Sequence, residues 1–327
     1  VLEISAPFAS HAAHADLGML RVDAVIRERL SSRVVLIDQI SRYIVNAGGK
    51  RIRPRLVLLF SEALGFDGPE RYELAAVVEF IHTATLLHDD VVDESALRRG
   101  RATANAMFGN AASVLVGDFL YSRAFQMMVA IDRIRVLDVL AEATNVIAEG
   151  EVMQLMNMHD PDLAVEDYLQ VIRFKTAKLF EASARLGAVL AGAGPALESA
   201  CADYGRALGT AFQLVDDLLD YEGSSEQLGK NVGDDLREGK PTLPLLLAME
   251  RSSPGDRAMI RQAIEHGELH RLPEILAIVR QSGALDATRA AAQREADVAR
   301  QALKALPPSR ASEALLDFCV SAVHRSS

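Results

Sequence analysis

Apolar residues recur at three- and four-residue spacing through most of the chain, the pattern of helices that each turn a stripe toward a core. Between residues 70 and 93, Leu74, Val77, Ile81 and Leu86 follow it with no Gly or Pro interrupting. The same spacing predicts helices over 111–129, 136–158, 166–192, 196–221, 242–250, 257–265, 273–281 and 285–305. Breaks fall where Gly and Pro occur, at 48–49, 65–69, 160–161, 192–195, 223–239, 253–255 and 307–308. The apolar run at 33–40 reads equally as helix or strand, and no series of alternating runs joined by hairpin turns supports a sheet. Short linkers and an even composition predict one all-α domain over 1–327, a single large helical bundle, with 1–20 as a flexible N-terminal extension.

Composition narrows the function. Half of the 327 residues are hydrophobic and 24% are charged, so a large core is expected and disorder is not. A net charge of −10 excludes a broad basic surface for nucleic acid. Cys201 and Cys319 cannot build a disulfide framework, and no CxxC is present; both read as buried thiols. No apolar run approaches the ~20 residues that cross a bilayer. The N-terminal stretch lacks the features of a signal or transit peptide, so a cytoplasmic protein is expected. His11 and His14 fall in that stretch and are read as part of a tail rather than as metal ligands.

Two acidic clusters carry the chemistry. Asp89, Asp90 and Asp93 form one DDxxD, and Asp216, Asp217 and Asp220 form a second. On a helix, positions i and i+4 share a face, so Asp89/Asp93 and Asp216/Asp220 each project two carboxylates together. Like charges at that spacing repel, and Asp is a poor helix former. By composition a DDxxD arises by chance about 0.07 times in a chain of this length, so two of them need a positive partner rather than coincidence. Hard oxygen donors without His or Cys select Mg²⁺, which one or two carboxylates hold while substrate phosphates complete the shell.

Basic residues stand beside these clusters. Lys50, Arg51 and Arg53 follow a Gly-Gly turn ahead of an apolar helix, a placement that favours phosphate. Arg98 and Arg99 follow the first cluster, Lys175 and Thr176 lie mid-helix, and Lys230 and Lys240 flank the loop after the second. Taken singly, each also reads as a solvated charge.

The chain resembles the trans-polyprenyl diphosphate synthases from about Tyr43 to Met249. GGKRIRP, FIHTATLLHDDVVDESALRRGRATAN, GEVMQL, FKTAKLF and FQLVDDLLDYEGSSEQLGKNVGDDLREGKPTLP stand in that family's order, with no departure at a catalytic position. The wording is nearest its long-chain bacterial branch, whose C40 members supply ubiquinone and menaquinone side chains. The resemblance implies a helical fold of the isoprenoid synthase type with a central active-site cavity. It also implies Mg²⁺-dependent head-to-tail condensation of isopentenyl diphosphate onto an allylic diphosphate, farnesyl diphosphate being the expected primer. Asp89, Asp93 and Asp216 would ligate the metal, three ions in all, while Asp90, Asp217 and Asp220 support them. Arg98, Lys175, Thr176, Gln213, Lys230 and Lys240 would hold the allylic diphosphate, and Lys50, Arg53, His82 and Arg99 the isopentenyl diphosphate. By sequence alone His82 also reads as a satisfied core histidine.

Product length would be set along the helix of the first cluster, the tail running toward its N-terminus. Thr85 and Ala84 lie about one turn below Asp89, and small residues there leave the tunnel open. Ile81, Phe80 and Val77 come next, and Met128 is the expected floor; each also reads as ordinary core. A homologue making C20 or C30–C50 and a catalytically silent subunit of a heteromeric synthase are the alternatives. Silent subunits usually lose the second aspartate motif, which this chain keeps. A class I terpene cyclase shares the metal chemistry but does not need the GGKRIRP site. A homodimer and transient membrane contact for product release complete the expectation.

Overall fold

The computed structural model describes residues 6–45, 48–98, 100–222, 232–267 and 269–324, with side chains from residue 17 onward. The all-α expectation holds among them. The predicted segments appear as α4 (Glu70–Val92), α6 (Asn110–Ala130), α7 (Ile134–Asn157), α10 (Pro195–Glu222) and the later helices Leu243–Arg251, Pro254–His266, Leu272–Gln281 and Ala284–Ala302. The ambiguous run at 33–40 opens α2 (Val35–Val45), and α3 (Ile52–Ala63) follows the Gly-Gly break. The 166–192 segment divides into α8 (Val165–Ile172), one turn of π-helix (Arg173–Ala177) and α9 (Lys178–Leu190). Among the described residues β structure is confined to a hairpin, Leu97–Arg98 against Arg101–Ala102, with Gly100 left-handed at φ 72°. The short α5 (Ala104–Phe108) comes next.

Near the N-terminus α1 runs Ala6–Arg29. Met19, Val22, Ile26 and Leu30 are buried at three- and four-residue spacing, so this end of the chain carries a core-facing stripe of its own. The composition of its first half, rich in Ala and His, hid that stripe.

The residues fall into two compact units. One comprises 1–144, 179–205 and 302–317, the other 145–178, 206–301 and 318–327. All five cuts fall inside helices rather than in loops.

The first unit is built around α4. Leu74 through Ile81 are buried without a break, so every face of the helix is covered, as for a core helix that is apolar all round. Helices α1, α3 and α6 pack against it. Ser113 of α6 donates to the Leu87 carbonyl at 3.0 Å, and Arg123 donates to the Arg29 carbonyl at 2.7 Å, where Arg29 pairs with Glu73 of α4. These contacts set α6 antiparallel to α4. Phe60 meets Tyr204 edge-on at 5.1 Å, and the Tyr204 hydroxyl donates to the Leu315 carbonyl at 2.7 Å.

The second unit has its own core, in which Tyr168 and Ile172 of α8 and Leu214, Leu218 and Tyr221 of α10 meet Leu245, Ile260, Ile275 and Val279 from the C-terminal helices. Ser253 caps the Pro254–His266 helix, its hydroxyl accepting from the Asp256 N–H at 3.2 Å with Pro in the first turn.

Candidate active site

Helix α4 ends at Val92, and the Asp93 N–H closes its last turn on the Asp89 carbonyl at 2.8 Å. Carboxylates at a helix C-terminus face the negative end of its dipole, so Asp89 and Asp93 are placed where cations are favoured. Both are half-buried. Asp90 turns the other way and is only 4% exposed. Arg98 of the hairpin sets Nε and Nη2 each 2.8 Å from Asp90 Oδ1. Burial pushes the Asp90 carboxyl above the usual range, and the Arg98 charge pulls it back in part. Asn105 donates to the Asp90 carbonyl at 3.0 Å and Thr103 to the Ser95 carbonyl at 2.7 Å, holding the hairpin under the helix end. Arg98, expected on a diphosphate, is here the counter-ion of Asp90.

A cleft of about 640 Å³, part of it open to solvent, lies in the same unit between the Gly-Gly turn, α4 and the hairpin. Its walls include Arg51, Glu79, His82, Asp90, Arg98 and Arg101. Arg51 enters α3 in the left-handed region at φ 49° and pairs with Glu79 at 2.9 Å. Arg53 stacks its guanidinium over Phe180, 4.4 Å from the ring centroid, and lies 3.1 Å from His82 Nε2. His82 and Arg53 are therefore brought together. Lys50 is exposed just ahead of α3. Arg99 and Lys230 lie outside the described residues.

In the second unit the middle aspartate is again the internal one. Asp217 is buried, its Oδ2 accepting from the Tyr168 hydroxyl at 2.5 Å and its Oδ1 from Gln213 Nε2 at 2.7 Å. Gln213 Oε1 in turn accepts from Thr176 at 3.0 Å. Burial and the nearby Asp235 charge push the Asp217 carboxyl well above the usual range. Asp216 is half-buried. Asp220 is fully buried, its Oδ2 accepting from the Asp235 N–H at 3.2 Å. Asp235 opens the helical turn Asp234–Arg237 after Gly233, which is left-handed at φ 81°.

The π-helical turn carries Lys175 and Thr176, and such single turns recur at functional sites. Lys175 Nζ lies 2.6 Å from Glu151 of α7, and Lys240 Nζ lies 2.7 Å from Glu238. Gly150 lets α7 approach this turn, since a Cβ there would lie 2.6 Å from the Lys175 backbone nitrogen.

Sequence reasoning missed Tyr168, Glu79, Glu151, Asp235 and Glu238, each of which partners or neighbours a predicted residue. Glu151 sits in GEVMQL, and Asp235 and Glu238 in the segment that ends GKPTLP, all singled out without a role for them; Tyr168 and Glu79 gave no local signal, because their partners are set by the packing of separate segments. The length-determining candidates fall on buried positions: Ala84, Ile81 and Met128 are fully buried. Thr85 is half-buried, its hydroxyl donating to the His82 carbonyl at 2.9 Å.

No three His, Cys, Asp or Glu among the described residues converge tightly enough to hold a metal unaided. The donor set nonetheless fits Mg²⁺, which takes one or two carboxylates and completes its shell with phosphate and water. Asp89 and Asp93, one turn apart at the end of α4, would supply such a pair, while Asp90 is taken by Arg98.

The polyprenyl synthetase family model matches residues 34–279. Octaprenyl diphosphate synthase of Escherichia coli is 58% identical over 308 residues, covering 94% of this chain and 95% of its own length. Among solved structures, a polyprenyl synthase from Caulobacter crescentus complexed with calcium and isoprenyl diphosphate superimposes with a TM-score of 0.94 at 47% identity, covering 97% of each chain. A decaprenyl diphosphate synthase from Rhodobacter capsulatus does so at 0.91 and 45%, covering 98% of this chain and 99% of that one. With the motifs, the helical fold and these likenesses in agreement, the chain belongs to the polyprenyl synthetase family.

Proposed function

We propose that this chain lengthens an allylic diphosphate, farnesyl diphosphate in the first instance, with isopentenyl diphosphate, building an all-trans C40 octaprenyl diphosphate for quinone side chains. The observation that carries the reading is the division within each aspartate motif. The middle member is buried and bonded internally, Asp90 to Arg98 and Asp217 to Tyr168 and Gln213, and Asp220 is buried with it in the second motif, while Asp89, Asp93 and Asp216 keep partial exposure. The likeness to octaprenyl diphosphate synthase of E. coli supports the chain length.

In the reaction the allylic C–O bond breaks and its electron pair leaves with diphosphate. The double bond of isopentenyl diphosphate attacks the allylic cation, and the departing diphosphate takes the proton lost. Asp89, Asp93 and Asp216 would be the residues to hold Mg²⁺, which when bound would supply positive charge against the leaving group. Lys175, Lys240 and Arg98 place fixed cations where that charge grows, with Lys230, Thr176 and Gln213 beside them. Lys50, Arg53, His82 and Arg99 receive the isopentenyl diphosphate.

Elongation runs down α4 past Thr85, Ala84 and Ile81 toward Met128, a helix about 35 Å long at 1.5 Å per residue. The enzyme works as a cytoplasmic homodimer, with the exposed face of α6 that bears Leu115 and Val129 as the contact, and meets the membrane when product leaves. No helix among the described residues is long and apolar enough to cross a membrane.

The test is product analysis with Mg²⁺, farnesyl diphosphate and labelled isopentenyl diphosphate. A dominant C40 product is expected. A C20 product keeps the chemistry and overturns the length, and no product from substrate-binding protein favours a silent subunit.

A further inference from the structure

Lysines that hold a diphosphate leaving group face a difficulty between turnovers. An ammonium in a half-buried site is costly without a counter-charge, yet a permanent partner competes with the ligand. The second unit shows how Lys175 is accommodated. Its Nζ lies 2.6 Å from Glu151 Oε2, with side-chain exposures of 17% and 30%. The two groups come from different helices that touch through Gly150, where a Cβ would also lie 2.8 Å from Phe174 Cβ. The Gly-Glu dipeptide thus grips the π-helical turn twice, by close backbone approach and by charge. The arrangement recurs at Lys240 and Glu238, 2.7 Å apart and similarly covered.

We infer that Glu151 is a positioning residue that stands in for the allylic diphosphate on Lys175 and is displaced when that anion binds. The inference rests on the reading of Lys175 as a diphosphate ligand. Glu151 holds the ammonium aimed between turnovers, and its carboxylate weakens the site's grip on diphosphate, which favours release of the leaving group.

The opposing charge makes the effect on binding diagnostic, because loss of a merely structural contact would weaken the anion site. Inorganic diphosphate with Mg²⁺, titrated calorimetrically into the full chain, should bind Glu151→Gln about five-fold more tightly than the parent, the scale expected for removing a partly exposed ion-pair partner that competes for the ammonium. With farnesyl diphosphate as varied substrate, KM and kcat should both fall, as the leaving group departs more slowly. Lys175→Gln should weaken diphosphate binding, and Glu151→Gln added to it should change nothing further. Unchanged or weaker binding in Glu151→Gln, with Lys175→Gln impaired, overturns the inference and leaves the role of Lys175 standing. Undiminished binding in Lys175→Gln overturns the reading beneath it. Melting temperatures of all three variants show that each comparison is between folded proteins.

Discussion

Tyr168 of α8 and Asp217 of α10 share a 2.5 Å hydrogen bond with both side chains buried. The phenol donates to a carboxylate whose other oxygen is taken by Gln213, so Asp217 serves the second motif from within. Burial and the Asp217 charge push the Tyr168 hydroxyl well above its ordinary range, so it stays a donor at any working pH. Tyr168→Phe keeps the ring and removes the donor, leaving the carboxylate short of one partner. The expected cost is about 1–3 kcal/mol. It should be read as a lower urea midpoint at unchanged slope, with a lower kcat because Gln213 and Thr176 lose their fixed reference.

Metal and diphosphate should bind as a unit. Because no three donors among the described residues converge, Mg²⁺ alone should raise the melting temperature little. Inorganic diphosphate alone should be repelled by the aspartates whose charge no metal offsets. Together they should stabilise the fold by mass action, by about 2.7 kcal/mol at one hundred times the dissociation constant. Thermal unfolding with each component and with both checks this. A full shift from Mg²⁺ alone would mean that the protein supplies the whole coordination shell.

Ala84 is fully buried on α4, about one turn below Asp89. Ala84→Tyr should obstruct the path of the tail and shorten products to about C15–C20, while overpacking costs about 1–3 kcal/mol. Chromatography of dephosphorylated products, beside a melting curve, separates obstruction from collapse. An active variant that still made full-length product would contradict the tunnel direction.

Burial pushes the Cys201 thiol up to about 12. The thiolate is the reactive form, so Cys201 should resist alkylation in the folded protein at pH 8 and react once the chain is unfolded. The sign for stability follows from proton binding. Between about pH 9 and 12 the folded state keeps a proton that the unfolded state gives up, so this group's contribution is lost as pH rises through that window. Mass spectrometry of alkylated Cys201, with and without urea, reads the first effect, and urea midpoints above pH 9 read the second.

Long helices were legible because burial imposes a period on sequence, and α4 and α6 were found within a residue or so of their predicted limits. Helix α1 was not, since its buried stripe begins late in a stretch read as a tail. The π-helical turn at Arg173–Ala177 was also invisible, because one wide turn scarcely disturbs the spacing of Tyr168, Ile172 and Phe180 around it. At the site, the shared face of Asp89 and Asp93 follows from helix geometry alone. That Asp90, about 100° round the helix from Asp89, would meet Arg98 depends on a hairpin too short to leave a sequence signature. Glu151 and Asp235 stood in quoted motifs, but a residue that serves another across the packing carries no mark of its partner.

The wide turn at Arg173–Ala177 sets regularity against use. Deleting one residue there would allow α8 and α9 to join as continuous α-helix, with better-formed hydrogen bonds along the axis. It would also draw the turn's own residues, Lys175 and Thr176 among them, back into α-helical register and away from where the wide turn now presents them. A search for thermostable variants would find such a deletion attractive and would select a firmer helix whose Lys175 no longer meets Glu151. The awkward turn is the local cost of keeping an ammonium on station.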